Sequence, residues 1–501
     1  MIPSERQVAI YDHWQTTDDN LLVEAVAGSG KTTTLIELVK LCEYRTLFLA
    51  FNKSIQVEIG ATLEEEGLEQ GKAMTMHSMG LSAIRTNTKF RINNNKKYDI
   101  TRKLQSDYED LYKGFTWEDK IKLSYTLIDL LDTTKLFLTD DLQEAISHMV
   151  DMDKNFYDVA IKDTEGKAVS FIGFCWTRLL EIRDEYYEKP VVEIDFNDMI
   201  YLPVKKQWFI PVRPYYLMID EAQDLNLCQH ALIKLLINQG DIKKFIAVGD
   251  RRQSIYGFSG AYASSFELFK EYSNTKEFPL DICYRCPSLI LQQANDVYDV
   301  MQGNKRYDGI VDTVDDILAI KDNSMVICRN SAPLFSVYFG LLGQKRKVII
   351  KGDDILGNLI TFMKPMQYKT VSQARLKIEK SISALIPKLK DPKSAYKHHK
   401  LKENLGIFNI LVSNMCLEST KIIDLIEAIK KIFKNTDEEA IMLCTIHKSK
   451  GLQADIVYIL NESLIPSKFA KSAKQLEQEV NLKYVARTRA KEEMYYLNLA
   501  T

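Results

Sequence analysis

The chain has 501 residues, 46% of them hydrophobic and 27% charged, with a formal net charge of −2. That length accommodates about three or four domains of ordinary globular composition. The near-neutral balance excludes a protein that holds nucleic acid through bulk basicity, so any such site must be a local patch. No apolar run reaches the roughly 18 residues of a membrane span, and the opening M-I-P-S-E-R-Q lacks the apolar core of a secretion signal. The eight cysteines are scattered, and the one C-x-x-C, Cys283 and Cys286, has no second pair at zinc-site spacing. Reduced thiols in an intracellular protein without a structural metal are the expectation.

The first predicted elements are a buried strand at 21–26, a turn, and a helix with Leu35, Leu38, Val39 and Cys42 at helical spacing. The connection reads A-V-A-G-S-G-K-T-T-T from Ala25 to Thr34. Glycines at 28 and 30 let backbone N–H groups face phosphate oxygens at the positive end of a helix. In this reading Ala27, Gly28, Ser29 and Gly30 cradle the phosphates and Lys31 reaches the β- and γ-phosphates. The Thr32 hydroxyl binds Mg²⁺. The strict pattern wants glycine where Ala25 stands. A second strand is predicted at 46–51, and residues 88–190 carry helical patterns such as I-K-L-S-Y-T-L-I-D-L-L.

The strand predicted at Tyr216–Ile219 runs into Asp220-Glu221-Ala222-Gln223-Asp224. A carboxylate at a strand end suits Mg²⁺, which assigns Asp220, and Glu221 is placed to orient and deprotonate a water. The bland alternative, an acidic turn capping a helix, is disfavoured by the G-S-G-K-T upstream. The strand predicted at 245–248 ends in Gly249-Asp250. It is followed by Gln253, within reach of a γ-phosphate, and by Tyr256 and Phe258, rings of the kind that stack on unpaired bases. Taken alone, both rings read more often as core. Further strands are predicted at Met325–Cys328, 347–350, Ile441–Thr445, 456–460 and 495–499, separated by helical patterns, which makes the class α/β with parallel sheets. Residues 352–438 are helix-like again. Within them, 360–402 hold eleven basic residues, Lys388, Lys390 and Lys393 among them, opposed only by Glu379 and Asp391. A solvated helix face and a phosphate-backbone contact stand as equal readings of that run.

Ten blocks in order make the chain resemble the superfamily 1 DNA helicases of the UvrD/Rep type. They are the Gln7 region, G-S-G-K-T, F-L-A-F-N-K at 48–53, T-M-H-S at 75–78 and D-F-N-D at 195–198. D-E-A-Q-D, G-D-R-R-Q-S-I-Y-G-F, Y-R-C-P at 284–287, and the pair T-I-H-K-S-K-G-L-Q at 445–453 and Y-V-A-R-T-R-A at 484–490 complete the set. The resemblance implies two RecA-like parallel-sheet motor domains, each with a mainly helical insertion. The first motor is expected at 1–87 and 191–280 with its insertion at 88–190. The second is expected at 281–351 and 439–501 with a basic insertion at 352–438.

The resemblance also implies roles. Gln7 resembles the glutamine that reads adenine, an edge an amide pairs bidentately, and Tyr284 the ring that stacks on it. Arg285 resembles a γ-phosphate contact from the second motor, Arg489 the arginine finger, and Gln253 the γ-phosphate sensor. Asn52, His77, Tyr256, Phe258, Thr445 and His447 fall in blocks that face single-stranded DNA, although each histidine alone reads as a core residue. Three positions depart from the family pattern: Thr33 stands in place of an arginine near the base, Gln453 in place of a ribose-binding glutamate, and Ser259 in place of an arginine after the aromatic pair.

The expected function is an ATP- and Mg²⁺-dependent DNA helicase, moving 3′ to 5′ on single-stranded DNA and unwinding duplexes in repair, recombination or replication. Its expected partners are single strands and strand–duplex junctions, with no membrane. The expected form is a minimal, monomeric motor, cytoplasmic in a bacterial, phage or viral setting, with replication or repair proteins as further partners. The alternatives are a translocase that displaces bound proteins with little unwinding, and a non-motor nucleotide-regulated binding protein.

Overall fold

A computed structural model describes residues 3–499 except 153, 155, 164, 258, 259, 263, 306, 389–391 and 434–438; the side chains of 353, 354, 388 and 392–396 are also outside it. Phe258, Ser259, Lys390 and Asp391, and the side chains of Lys388 and Lys393, therefore lie outside the described residues.

Strand β1 (Asn20–Ala25) joins β2 (Thr46–Ala50), β3 (Gly71–Thr75), β4 (Tyr216–Ile219), β5 (Lys244–Gly249) and β6 (Thr275–Leu280) in an all-parallel sheet of order β6-β1-β5-β4-β2-β3. Parallel strands must be covered on both faces, so their sequences are nearly continuous apolar runs. Alternation then sorts the residues. Leu21, Val23, Phe48 and Val248 pack with Ile10, Trp14, Leu35 and Val39 on one face. Leu22, Leu47, Leu49 and Ala247 pack with Met79, Leu232 and Ile233 on the other. Helices α1 (Glu5–Thr16), α2 (Lys31–Lys40), α3 (Lys53–Glu65) and α4 (Met76–Asn87) each begin just past a strand or at the chain's start. Side chains of Ser4, Asn52 and Thr75 cap α1, α3 and α4 by accepting the N–H of the third residue on, and Gly30 caps α2 in the left-handed conformation.

Two of these strands, β3 and β6, escape sequence reading. Gly71–Thr75 is half-exposed at the sheet edge and β6 carries Pro279, so neither shows the apolar run of a central strand. Between β3 and β4 the chain is mainly helical, with the 21-residue helix Trp117–Phe137 and the helix Phe171–Glu185 around their own core of Leu123, Leu127, Leu130, Cys175 and Leu179. Two short strand pairs interrupt it, Phe90–Ile92 with Val192–Ile194 and Ala160–Lys162 with Ala168–Ser170.

The residues from Ile282 to Thr501 form a second unit, distinct from Met1–Asp281. Its strands β7 (Ile310–Val314), β8 (Met325–Cys328), β9 (Val348–Lys351), β10 (Ile441–Thr445), β11 (Ala454–Leu460) and β12 (Ala490–Leu497) make another all-parallel sheet, ordered β7-β12-β11-β8-β10-β9. Helices Val371–Ser383 and Ile422–Ile432, with Asp353–Met363 and Pro392–Met415, fill the stretch between β9 and β10. The fold is thus α/β, with two RecA-like parallel sheets and mainly helical segments inserted in each. No helix among the described residues is long and apolar enough to cross a membrane.

Candidate nucleotide pocket and aromatic groove

In open parallel sheets ligands bind beyond the carboxyl ends of the strands. Three of the central strands of the first unit deliver their functional residues there: β1 the loop 26–30, β4 Asp220 and Glu221, β5 Asp250. Gly28 and Gly30 adopt φ of 71° and 82°, the left-handed turns the loop requires. Ser29 is buried, and its hydroxyl oxygen has no hydrogen-bond partner among the described residues. Lys31 Nζ lies 3.4 Å from Glu221 Oε1. Burial would lower its pKa, but the carboxylates of Glu221, Asp250 and Asp220 outweigh that and hold it above the ordinary lysine value. Thr32 Oγ1 donates to Asp220 Oδ2 at 3.4 Å. Burial, reinforced by the neighbouring Glu221 charge, pushes the Asp220 carboxyl up to about 6.

Three carboxylates thus act on one ammonium, beside a buried, orphaned hydroxyl and the glycine turn that starts α2. That donor set fits a phosphate chain carried with a divalent cation. The loop N–H groups, Ser29 and Lys31 could hold the anion, and Thr32 with Asp220 the cation. A bound Mg²⁺ would supply neutralisation of phosphate charge.

Gln253 enters through Asp250: its Nε2 donates to Asp250 Oδ2 at 2.8 Å. Gln7 lies behind the loop. Its Nε2 donates to Thr34 Oγ1 at 3.0 Å and its Oε1 accepts from the Ser4 N–H at 3.0 Å. Thr33 is exposed on the first turn of α2. Gln223 and Asp250 are functional candidates to which the sequence assigned no role. Gln223 donates to Glu221 Oε2 and accepts from the Asp250 N–H. The signal was the polar run after each strand, interrupted only by Ala222 in the first.

Asn52, His77 and Tyr256 line one groove of about 420 Å³ in the first unit. Tyr256 stacks on Phe51, ring centroids 5.7 Å apart and 12° from parallel. His77 stacks on Phe196 at 3.8 Å and 20°. Phe196 is 60% exposed, an apolar ring held in water beside an imidazole that burial keeps neutral, lowered to about 4. Asn52 also caps α3 through Ile55 N–H. Beneath the groove, Lys135 from the helical segment pairs with Asp195 at 2.7 Å and Asp198 at 2.8 Å, and Lys96 pairs with Asp198 at 2.7 Å. All four side chains are buried, so removing any one partner strands a charge.

In the second unit the predicted residues also assemble. Arg285 Nε donates to Gln453 Oε1 at 2.8 Å and Nη1 to the Thr488 carbonyl at 2.9 Å. Arg489 is 1% exposed and donates to the carbonyls of Val485 at 2.9 Å and Leu452 at 3.2 Å and to Thr488 Oγ1 at 3.1 Å. Tyr284 precedes Arg285 and is half-buried. Thr445 caps the short helix Ile446–Ser449 at the end of β10, and burial, with Arg329 nearby, lowers His447 to about 3. The Cys286 N–H donates to Cys283 Sγ at 3.4 Å, and no metal-ligating cluster of His, Cys, Asp and Glu occurs among the described residues.

A family model described as the UvrD/REP helicase N-terminal domain matches residues 5–274. The ATP-dependent DNA helicase Rep of Escherichia coli (strain K12) is 29% identical over 289 residues, covering 55% of this chain and 40% of that protein. The ATP-dependent DNA helicase PcrA of Staphylococcus epidermidis (strain ATCC 12228) is 27% identical over 307 residues, 56% of this chain and 38% of its own length. The F-box DNA helicase protein 1 of Schizosaccharomyces pombe is 23% identical over 510 residues, 95% of this chain and 55% of that protein. The alignments thus span about 40% of the length of Rep and PcrA.

Proposed function

The chain belongs to the UvrD/Rep helicase family, and on that premise we propose that it is an ATP-driven motor that moves along single-stranded DNA and separates duplex strands. The observation that carries the proposal is the pocket of the first unit, where Lys31, Thr32, Asp220 and Glu221 meet around a phosphate-binding turn. Lys31 takes the β- and γ-phosphates, Thr32 and Asp220 hold Mg²⁺, Glu221 orients and deprotonates the attacking water, and Gln253 senses the γ-phosphate. Gln7 and Tyr284 hold adenine, while Arg285 and Arg489 act on the γ-phosphate. The aromatic groove takes unpaired bases, each stacked base contributing about 1–3 kcal/mol. The differing affinity of ATP and ADP for two states of the motor drives the cycle. The helical segments 88–190 and 352–438 are the accessory insertions of this reading, the second meeting phosphate backbone.

ATP hydrolysis measured with and without single-stranded DNA tests the proposal. Hydrolysis by the parent is expected to rise on adding DNA, and Lys31→Ala is expected to abolish it with strand binding largely intact. Full hydrolysis by that variant refutes the pocket. Direction is read separately from duplexes with a 3′ or a 5′ overhang, the 3′ form being the one expected to unwind. Unwinding only from the 5′ overhang reverses the assigned polarity. Displacement of a bound protein without strand separation supports the translocase reading instead.

A further inference from the structure

Gln223 bridges the Glu221 turn and the Asp250 segment. Its Nε2 donates to Glu221 Oε2 at 2.5 Å, and its Oε1 accepts the Asp250 N–H at 3.0 Å. An amide can donate and accept at once across a rigid plane, so movement at one end is felt at the other. The side chain is 2% exposed. Gly249 closes over it: a Cβ there would run into Gln223 Oε1 and press on the Gln223 backbone nitrogen. Glu221 itself sits at φ 52°, a left-handed conformation rare for a glutamate, so its carboxylate is aimed by backbone strain as well as by its partners.

The Asp250 end of the amide leads to the groove. Asp250 holds Gln253 at 2.8 Å, and Tyr256 follows three residues on, with its ring on Phe51. Asp224, next after Gln223, lines the same groove. The Gln223 carbonyl accepts from Ser254 Oγ at 3.5 Å, a second tie between the segments.

We propose that Gln223 is a positioning residue that couples Glu221 in the nucleotide pocket to the Asp250–Tyr256 segment, so that occupancy of the aromatic groove sets the rate of hydrolysis. The inference rests on the ATP-motor reading above. In this structure Glu221 shares its carboxylate between Lys31 and Gln223. When a phosphate claims Lys31, the amide remains to hold Glu221, and its setting depends on Asp250 and through it on the groove.

The test is steady-state ATP hydrolysis with and without oligo-dT, alongside the KM for ATP and the Kd for labelled oligo-dT. Gln223→Met removes the hydrogen bonds of the amide, the long one from Nε2 to Asp224 Oδ2 at 3.5 Å included, at similar bulk. Gly249→Ala leaves the amide in place chemically but displaces it, so it tests the bridge even if the first variant folds poorly. In both, the ratio of stimulated to basal turnover is expected to fall about tenfold or more, the scale of a coupling between sites, with KM and Kd within about twofold. A merely structural role lowers both rates together and preserves the ratio. A preserved ratio, or a fall explained by a raised KM, overturns the inference. If the parent itself is not stimulated by oligo-dT, the motor reading fails and the inference with it. A stimulated parent with equally stimulated variants sinks the inference alone.

Discussion

His230 illustrates what one side chain can cost and where. Its Nε2 shares a hydrogen bond with Ser265 Oγ at 2.8 Å, and Ser265 donates to the Ala222 carbonyl at 2.6 Å, directly behind the acidic turn. The ring is 6% exposed, and burial lowers its pKa to about 4. A histidine in an unfolded chain titrates near ~6.5. Between those values the unfolded chain binds a proton that the folded protein does not. The stability contribution is therefore complete above the unfolded value and drains away as pH falls toward the folded one. Full protonation is worth about 3 kcal/mol. Urea unfolding of the parent is expected to lose more stability between about pH 7.5 and about pH 4.5 than that of His230→Gln; equal losses show that other groups carry the acid sensitivity.

At the scale of elements, α4 and the helix Asp198–Lys205 approach so closely that a Cβ on Gly80 would strike the Met199 carbonyl. This contact holds two groove walls in place, because His77 lies on α4 and Phe196 just before the second helix. Backbone cannot yield as a side-chain tip can, so Gly80→Ala is expected to cost about 1–3 kcal/mol, as overpacking does. It is also expected to weaken binding of single strands by spreading the stacked pair. Thermal melting and fluorescence titration with oligo-dT check both effects, and an unchanged melting temperature contradicts the packing argument. The buried Lys96, Lys135, Asp195 and Asp198 network anchors the helical segment to the same region. Its ions are worth little as a stabilising sum, but removing one leaves a buried partner uncompensated.

At the scale of the molecule, the second unit is expected to matter to hydrolysis through Arg489. An arginine finger stabilises charge building on the transferred phosphoryl group and is worth about 10³–10⁵ in turnover. Here the guanidinium is buried and tied to two backbone carbonyls, which fixes it. Arg489→Ala is expected to cut DNA-stimulated turnover by about 10³ or more. Because the same change leaves the Val485 and Leu452 carbonyls without this donor, melting must be followed in parallel. A folded variant with parental turnover removes Arg489 from the chemistry. The alignments cover only part of the length of Rep and PcrA, so activity and partners rest on such measurements and not on the likeness.

The sequence by itself determined the α/β class, the glycine turn after β1, the acidic strand end after β4 and the family, because each is written in contiguous residues. Apolar runs mark strands that are buried on both faces, and glycines mark the left-handed turns at 28 and 30. Only the tertiary structure decided which separate segments meet. Edge strands β3 and β6 carry little apolar signal, since a half-exposed or proline-bearing strand needs no such run. Gln223 and Phe196 look like ordinary polar-turn and loop residues in one dimension. Gln223 acquires Asp250, 27 positions away, when the parallel sheet brings its strand ends to one side, and Phe196 acquires His77, 119 positions away, when α4 packs on the helix Asp198–Lys205. The opening loop by its own residues points only to a nucleotide, and it reads as half of a candidate site only together with Asp220 and Arg489. What holds Glu221 in that site, an amide wedged under Gly249, depends on close packing across strands, which no local pattern encodes.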